Sequence, residues 1–491
     1  MAEFTSTRSP RAEANAYEAV LNGIAPDGGL YVPTRISRIY VEETLPLSYI
    51  DTARRILGAF FPSFSETEIF QSASEAYADH FDTDLVSPLV RVGDAFVLEL
   101  FHGETAAFKD VALSILPRLM TRARRALGRK EKILILTATS GDTGSAAMNG
   151  FRGVDGTGII AFYPFGGVSE IQKRQMISMR GDNLTACALR GNFDDCQTAV
   201  KRAFARLPAP DGIRFSSANS INIARLVPQI TYYYAAYASL VRQTGMNVGE
   251  KVDFVVPTGN FGDILAGWYA KRMGLPVGTL VCASNANRVL TDFMETGVYD
   301  RRRPFAKTSS PSMDILISSN LERLLFHAED GDGERVASLM KSLTENGFYR
   351  ASDRAMSRVR EDFAAYSFDD AQTLRAMKTV FDETGYFPDP HTAVGMASLA
   401  AHKKRCPGRR AVALATASPF KFPQSALLAL GMAQNGEDAF EQLSRLSDAI
   451  GVPVPRAISR LRDAECVHND VTDADHIFDY ILGKAEKLCK P

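Results

Sequence analysis

From residue 96 onward the chain repeats one pattern: a short apolar run, a turn, then an amphipathic stretch. The runs are Phe96–Leu100, Ile133–Thr137, Ile159–Tyr163, Leu184–Leu189, Val252–Val256, Thr279–Ala283 and Ala411–Ala415. They are too short for core helices and lack the alternation of strands with one wet face. Continuously apolar runs of this length suit strands buried on both faces, the environment of a parallel sheet. Stretches 169–180, 193–206, 220–242 and 263–274 lie between them and read as helices. Strand and helix in alternation predict an α/β layer architecture with mainly parallel sheet.

At 491 residues the chain is too long for one ordinary core. Residues 1–95 are expected to form a mostly helical N-terminal domain. Leu57, Phe60, Phe61, Phe64, Ile69 and Phe70 recur there at roughly helical intervals, and Ala25–Pro33 is a turn-rich insertion. The sheet is expected to split in two, with 133–205 as a smaller mobile lobe and 96–132 plus 206–435 as the larger one. Residues 284–385 carry weaker strand signals and more charge. They read as helices and loops inserted before the last strand. Residues 436–491 read as a C-terminal helical cap.

Net charge is −1, so neither a nucleic-acid surface nor an acidic tail is expected, and an anionic partner must be held locally. No apolar stretch reaches membrane-spanning length, and Met1–Glu13 lacks a signal peptide's apolar core. A cytoplasmic enzyme, monomeric or homodimeric, is the expectation. Six cysteines occur without a CxxC pair, and seven histidines without HxxxH or HExxH. Neither a disulfide framework nor a metal site is expected.

Four turns follow predicted strands. The first, His102–Asp110, carries Lys109 in the first turns of a helix that Thr105 is expected to cap. Its neighbours Ala106, Ala107 and Phe108 are apolar. A lysine is ordinarily solvated. A desolvated one at the ligand-binding edge of an open sheet suits a Schiff-base nucleophile. The second, Pro257–Asp263, has Gly259, Asn260, Phe261 and Gly262 at a helix start, a candidate anion cup or an ordinary βα turn. The third, Thr139, Ser140, Gly141, Asp142, Thr143, is another candidate anion site. There Asp142 opposes phosphate wrapping unless its side chain turns away. The fourth ends the last strand, where Thr416 offers a neutral hydroxyl to a pyridine nitrogen or is simply a turn residue. A lysine with three anion- or ring-compatible turns is what a cofactor bearing an aldehyde and a phosphate requires.

These residues also resemble a known family. HGETAAFKD, TSGDTGSAA, NSINIARLVPQITYYY, PTGNFGD and APDGGLYVP are similar, in order, to motifs of threonine synthases of the longer microbial and fungal branch. The likeness runs from about residue 15 to 435. It implies the tryptophan synthase β-like fold (pyridoxal-phosphate fold type II), with two open, mainly parallel sheets flanked by helices. It also implies conversion of O-phospho-L-homoserine and water to L-threonine and phosphate. Lys109 would anchor pyridoxal 5'-phosphate and shuttle protons, with Phe108 beside it. Gly259, Asn260, Phe261 and Gly262 would cup the cofactor phosphate, with Asp263 opening the helix behind, and Thr416 would face the ring nitrogen. The Thr139–Thr143 loop would grip the substrate carboxylate through backbone amides. Asn219, Ser220, Asn222 and Arg225 would line the cleft, and Arg225 and Lys173 are candidates for the substrate phosphate. One departure stands out: Ser418 and Phe420 replace the family's usual His and Ala. That keeps open a phospho-lyase that releases 2-oxobutyrate. A pyridoxal enzyme indifferent to substrate phosphate, and a non-catalytic protein on the same fold, are further alternatives.

Overall fold

The structure is a computed structural model that describes residues 2–9, 11–432 and 436–489. In chain order the strands are β1 (Phe4–Ser6), β2 (Tyr31–Pro33), β3 (Leu89–Val92), β4 (Ala95–Glu99), β5 (Lys132–Ala138), β6 (Thr157–Pro164), β7 (Leu184–Leu189), β8 (Ile213–Ser216), β9 (Val252–Pro257), β10 (Val277–Ser284), β11 (Val298–Asp300), β12 (Phe348–Arg350), β13 (Phe363–Ser367), β14 (Arg410–Ala415) and β15 (Asp470–Thr472). All seven apolar runs became strands, and most are buried along their whole length. They divide between two sheets. The larger has the order β13-β10-β9-β14-β4-β3, and the smaller β15-β7-β6-β5-β8. Every pairing is parallel except β3 with β4. The mixed-to-parallel α/β expectation is what the chain builds.

Parallelism positions the site. β9, β14 and β4 are adjacent and point the same way, so the turns after them emerge side by side at one sheet edge. Those turns carry the Gly259 loop, Thr416 and Lys109. The small sheet delivers the Thr139–Thr143 loop from the end of β5.

The mostly helical N-terminal expectation holds, and several others need correction. The N-terminal region has the helices Ala16–Asn22, Val41–Thr44, Tyr49–Phe60 and Glu66–Tyr77, two of them opened by capping boxes at Asn15/Glu18 and Ser65/Glu68. It also holds the antiparallel pair β1–β2, formed partly from the supposed insertion. Residues 284–385 are not only helix and loop, because β13 pairs with β10 at the large sheet's edge. Its sequence, Phe-Ala-Ala-Tyr-Ser, is only half-buried and so lacks the apolar run of a central strand. The small sheet reaches beyond 133–205 to take β8 and β15. The C-terminal segment is also split. The helix Ala439–Ile450 packs Leu443, Leu446 and Ile450 with Phe420 and Leu427 of the large lobe. The last helix, Ile477–Leu488, instead lays Ile477, Ile481, Ala485 and Leu488 on Leu134, Leu136, Ile160 and Phe162 of the small sheet.

The helix Lys109–Ala126 runs between the lobes. Val111, Leu113, Ile115, Leu116, Leu119 and Met120 are fully buried on it, each contributing about 1.5–3 kcal/mol by leaving water. It crosses the helix Asp142–Phe151 at Gly150, where an added Cβ would lie 2.0 Å from the Leu113 carbonyl oxygen. Only glycine permits that approach, which ties Lys109's helix to the helix that begins with Asp142.

Candidate active site

Lys109 is the first residue of its helix, and its N-cap is Phe108. Thr105 does not cap it. Its amide and hydroxyl donate instead to Asp110 (2.8 and 2.6 Å), whose buried carboxyl is pushed up to about 6, chiefly by burial. The backbone before Lys109 is laced to the end of β14. The Phe108 amide donates to the Thr416 carbonyl (2.8 Å), the Ser418 amide donates to the Ala106 carbonyl (3.1 Å), and a bridge joins Ala107 to Ala417. Lys109 and Thr416 therefore hold one relative position. The Lys109 ammonium lies 4.6 Å from the Phe108 ring centre, and its side chain is 10% exposed. Burial is the main cause that pulls its pKa down to about 8, aided by Arg225 and Lys421 and opposed by Asp142.

The Gly259 loop is braced from behind. Ser318 Oγ donates to the Gly259 carbonyl (2.7 Å), and the Asn320 amide and side chain donate to the Asn260 carbonyl (both 3.1 Å). A Cβ at Gly259 would sit 2.9 Å from the Ser312 carbonyl oxygen. Phe261 adopts φ +62°, a left-handed conformation that a bulky residue keeps only under such bracing. The helix Gly262–Met273 starts here, and first-turn amides have no acceptor within their own helix. Asp263 Oδ1 accepts from Tyr232 (2.6 Å) and Tyr233 (2.8 Å), while its buried Oδ2 has no partner among the described residues. Burial raises this carboxyl to about 6. An amide-rich loop at a helix start, held so close that a side chain at Gly259 would clash, fits a phosphate ester.

The small-lobe loop is folded around Thr139, whose hydroxyl accepts from the Gly141 (2.9 Å) and Gly144 (2.8 Å) amides. Ser140 and Thr143 face the cleft, whereas Asp142 turns away from its surface. Asp142 Oδ1 accepts from Gln172 Nε2 (2.8 Å) and pairs with Lys421 Nζ (2.7 Å). Oδ2 accepts from Ser312 Oγ (3.0 Å) and lies 3.5 Å from Lys109 Nζ. Burial opposes ionisation there, but the Lys421 and Lys109 ammoniums outweigh it and hold the carboxyl far below its ordinary range. The side chain thus turns away from any anion bound at the loop.

Asn219, Ser220, Asn222 and Arg225 line the same cleft of about 900 Å³. Asn219 accepts from Thr137 Oγ1 (3.1 Å). Asn222 is committed to structure, donating to the Val20 carbonyl (3.0 Å) and capping Ala224. Arg225 is buried, donates to the Ala218 carbonyl (2.7 Å), and has no carboxylate in ion-pair contact among the described residues. Burial alone pulls its pKa down to about 10. Lys173 is not brought to the cleft. It lies on the outer side of the helix Glu170–Ile177, 41% exposed and paired with Glu170 at 3.4 Å. Its neighbour Gln172 is the residue that faces inward.

Sequence reasoning missed four parts of this site. Lys421 is fully buried beneath the Lys109 turn. His391 accepts the Ser312 amide at Nε2 (3.1 Å) and holds Asp389 through Nδ1 (2.6 Å), so its proton sits on Nδ1. Ser312 comes from the 284–385 segment. The Asn22–Gly28 stretch of the N-terminal region forms one wall of the cleft. Of these, Lys421 had a local signal, as a charged residue between Phe420 and Phe422, and Ala25–Gly28 lay in the APDGGLYVP motif without being assigned to the site. Phe420, in the family's Ala position, is buried among Ala106, Ile171 and Leu427.

Fold and site together define a pyridoxal-phosphate-dependent enzyme built on two open, mainly parallel sheets. The sequence profile for the pyridoxal-phosphate dependent enzymes matches residues 86–417. Profiles for the threonine synthase N terminus and C-terminal region match 3–77 and 392–469. Threonine synthase of Pseudomonas aeruginosa is 40% identical over 426 residues, 86% of this chain and 89% of that protein. The chain belongs to the threonine synthase family. The crystal structure of pyridoxal-phosphate-bound threonine synthase from Brucella melitensis is 38% identical, with a TM-score of 0.87 over 98% of this chain and 99% of that one. That of threonine synthase from yeast is 33% identical, with a TM-score of 0.88 over 99% of both. Human threonine synthase-like 1 is 36% identical over 93% of this chain, which spans 64% of that protein's length.

Proposed function

We propose that the site converts O-phospho-L-homoserine and water to L-threonine and phosphate. The observation that carries this reading is a second anion position: buried Arg225, free of any carboxylate contact among the described residues, lines the cleft that holds Lys109. The Gly259 loop supplies the first such position, for the cofactor. Two separated sites for phosphate match a phosphorylated cofactor and a phosphorylated substrate in one cleft.

The residues divide the work. The amides of Gly259–Asp263 would hold the cofactor phosphate, and the Thr416 hydroxyl would face the ring nitrogen. When bound, pyridoxal phosphate supplies an electron sink beside the substrate Cα. The amides opening the Asp142–Phe151 helix hold the substrate carboxylate, and Arg225 holds its phosphate as it departs from Cγ. Lys109, lowered to about 8, exists partly as free amine near neutrality. It therefore takes protons from Cα and Cβ and returns one to Cγ; after water adds its hydroxyl at Cβ the other goes back to Cα, and the proton left from water leaves with the phosphate.

Product analysis with O-phospho-L-homoserine tests the reading. Threonine and phosphate in equal amounts are expected. Release of 2-oxobutyrate without threonine would instead support the phospho-lyase that the Ser418 and Phe420 replacements leave open. Lys109→Ala should lose the visible absorption of the bound cofactor and at least about 10³-fold in turnover.

A further inference from the structure

We infer that Asp142 and Lys421 form a buried charge chain behind Lys109, in which Asp142 receives and orients the lysine's ammonium and Lys421 limits how strongly it does so. The inference rests on Lys109 being the cofactor lysine. The three groups come from three segments: the Asp142 helix of the small sheet, the turn after β14, and the turn after β4. Lys421 has no exposed surface, and two of its donors are directed to the Thr105 carbonyl (2.8 Å) and Asp142 Oδ1 (2.7 Å). Asp142 Oδ2 is 3.5 Å from Lys109 Nζ, the only carboxylate in ion-pair contact with it among the described residues.

A buried ion pair is a poor device for stability, since well-packed apolar residues do as well or better. Its position suggests another purpose. When Lys109 takes a proton, it places a cation in a site that already holds Arg225 and Lys421, with only 10% of the lysine side chain exposed. Asp142 supplies the local negative charge that makes this tolerable. Left alone, a buried carboxylate at that distance would hold the lysine permanently charged and useless as a base. Lys421 prevents this by sharing Asp142's charge from the far side. Gln172 and Ser312 fix the carboxylate's orientation. The direction of the Lys109 shift agrees, with Asp142 raising it and Lys421 and Arg225 lowering it. The other titratable groups facing this cluster are Asp263 across the cleft, Asp110 on Lys109's own helix, and the His391 imidazole beside Asp142.

The chain makes the two neighbours act in opposite senses, which a merely structural role would not. The test is a pH titration of the visible absorption of the protein loaded with pyridoxal phosphate, which reads the proton on the nitrogen that Lys109 contributes. In Asp142→Asn the midpoint should fall by about 1–3 pH units, and in Lys421→Met it should rise by about 1 unit. Lys421→Arg should stay within about half a unit of the parent. The rising limb of the pH–kcat profile should move with each midpoint. Shifts of the same sign in the first two variants, or no shift in Asp142→Asn, would overturn the proposal. Should Lys421→Met fail to fold, Asp142→Asn and Lys421→Arg still decide it. Absence of any visible absorption in the parent protein would instead count against the cofactor reading.

Discussion

Lys109 loses hydration without a full ion pair in return, so its charged form is held at a disadvantage in the folded chain. With the cofactor absent, its pKa is about 8 against an ordinary 10.5. The sign follows from proton counts. Between those values the unfolded chain binds more protons, so stability rises with pH. Below about 8 the whole cost persists, at about 3 kcal/mol. Urea unfolding of cofactor-free protein should show that rise from pH 8 to 10, and Lys109→Met should flatten it. Arg225 makes a different prediction. Its loss should act on substrate binding, with Arg225→Met raising KM for O-phospho-L-homoserine roughly 10–100-fold. A titration with pyridoxal phosphate should change by less than about two-fold, because the Gly259 loop proposed to cup the cofactor lies apart from Arg225's segment.

At the scale of elements, the Lys109–Ala126 and Asp142–Phe151 helices are one mechanical unit because of their contact at Gly150. Gly150→Ala should force them apart, lower stability by about 1–3 kcal/mol, and reduce kcat by lengthening the Lys109–Asp142 contact. Unfolding midpoints and kcat measured together check both. The central strands were legible because burial on two faces leaves a continuous apolar signature, as in Leu184–Leu189. The edge strands were not, because β8, β13 and β15 each present polar or half-buried residues to one side. The site followed the same division. The Gly259 loop and Thr416 sit directly after strands, and Lys109 ends the connection that follows β4, so each could be read locally. Lys421, His391 and Ser312 acquire meaning only from packing between distant segments. Lys173 looked suitable by charge alone, but the phase of its helix turns it outward.

At the scale of the whole molecule, the small lobe depends on the far end of the chain. Its edge strand β15 and the Ile477–Leu488 helix cover one side of a sheet built from residues before 217. Deleting residues 470–489 should expose Leu134, Leu136, Ile160 and Phe162 and leave β7 as an open edge. The truncated protein should aggregate, or show fast amide exchange confined to the small sheet. An unchanged exchange pattern would refute that dependence.

The same arrangement governs how the protein comes into being. β7 ends at residue 189 and its partner β15 begins at 470, so ribosomal synthesis separates them by roughly 15–60 s. During that interval the nascent small sheet has an uncovered apolar flank, which is the kind of surface a chaperone binds. The Thr139–Thr143 loop is held by that sheet. It follows that the catalytic cleft is completed only after β15 and the Ile477–Leu488 helix have left the ribosome, and that cofactor capture is a late event in maturation rather than a seed for folding.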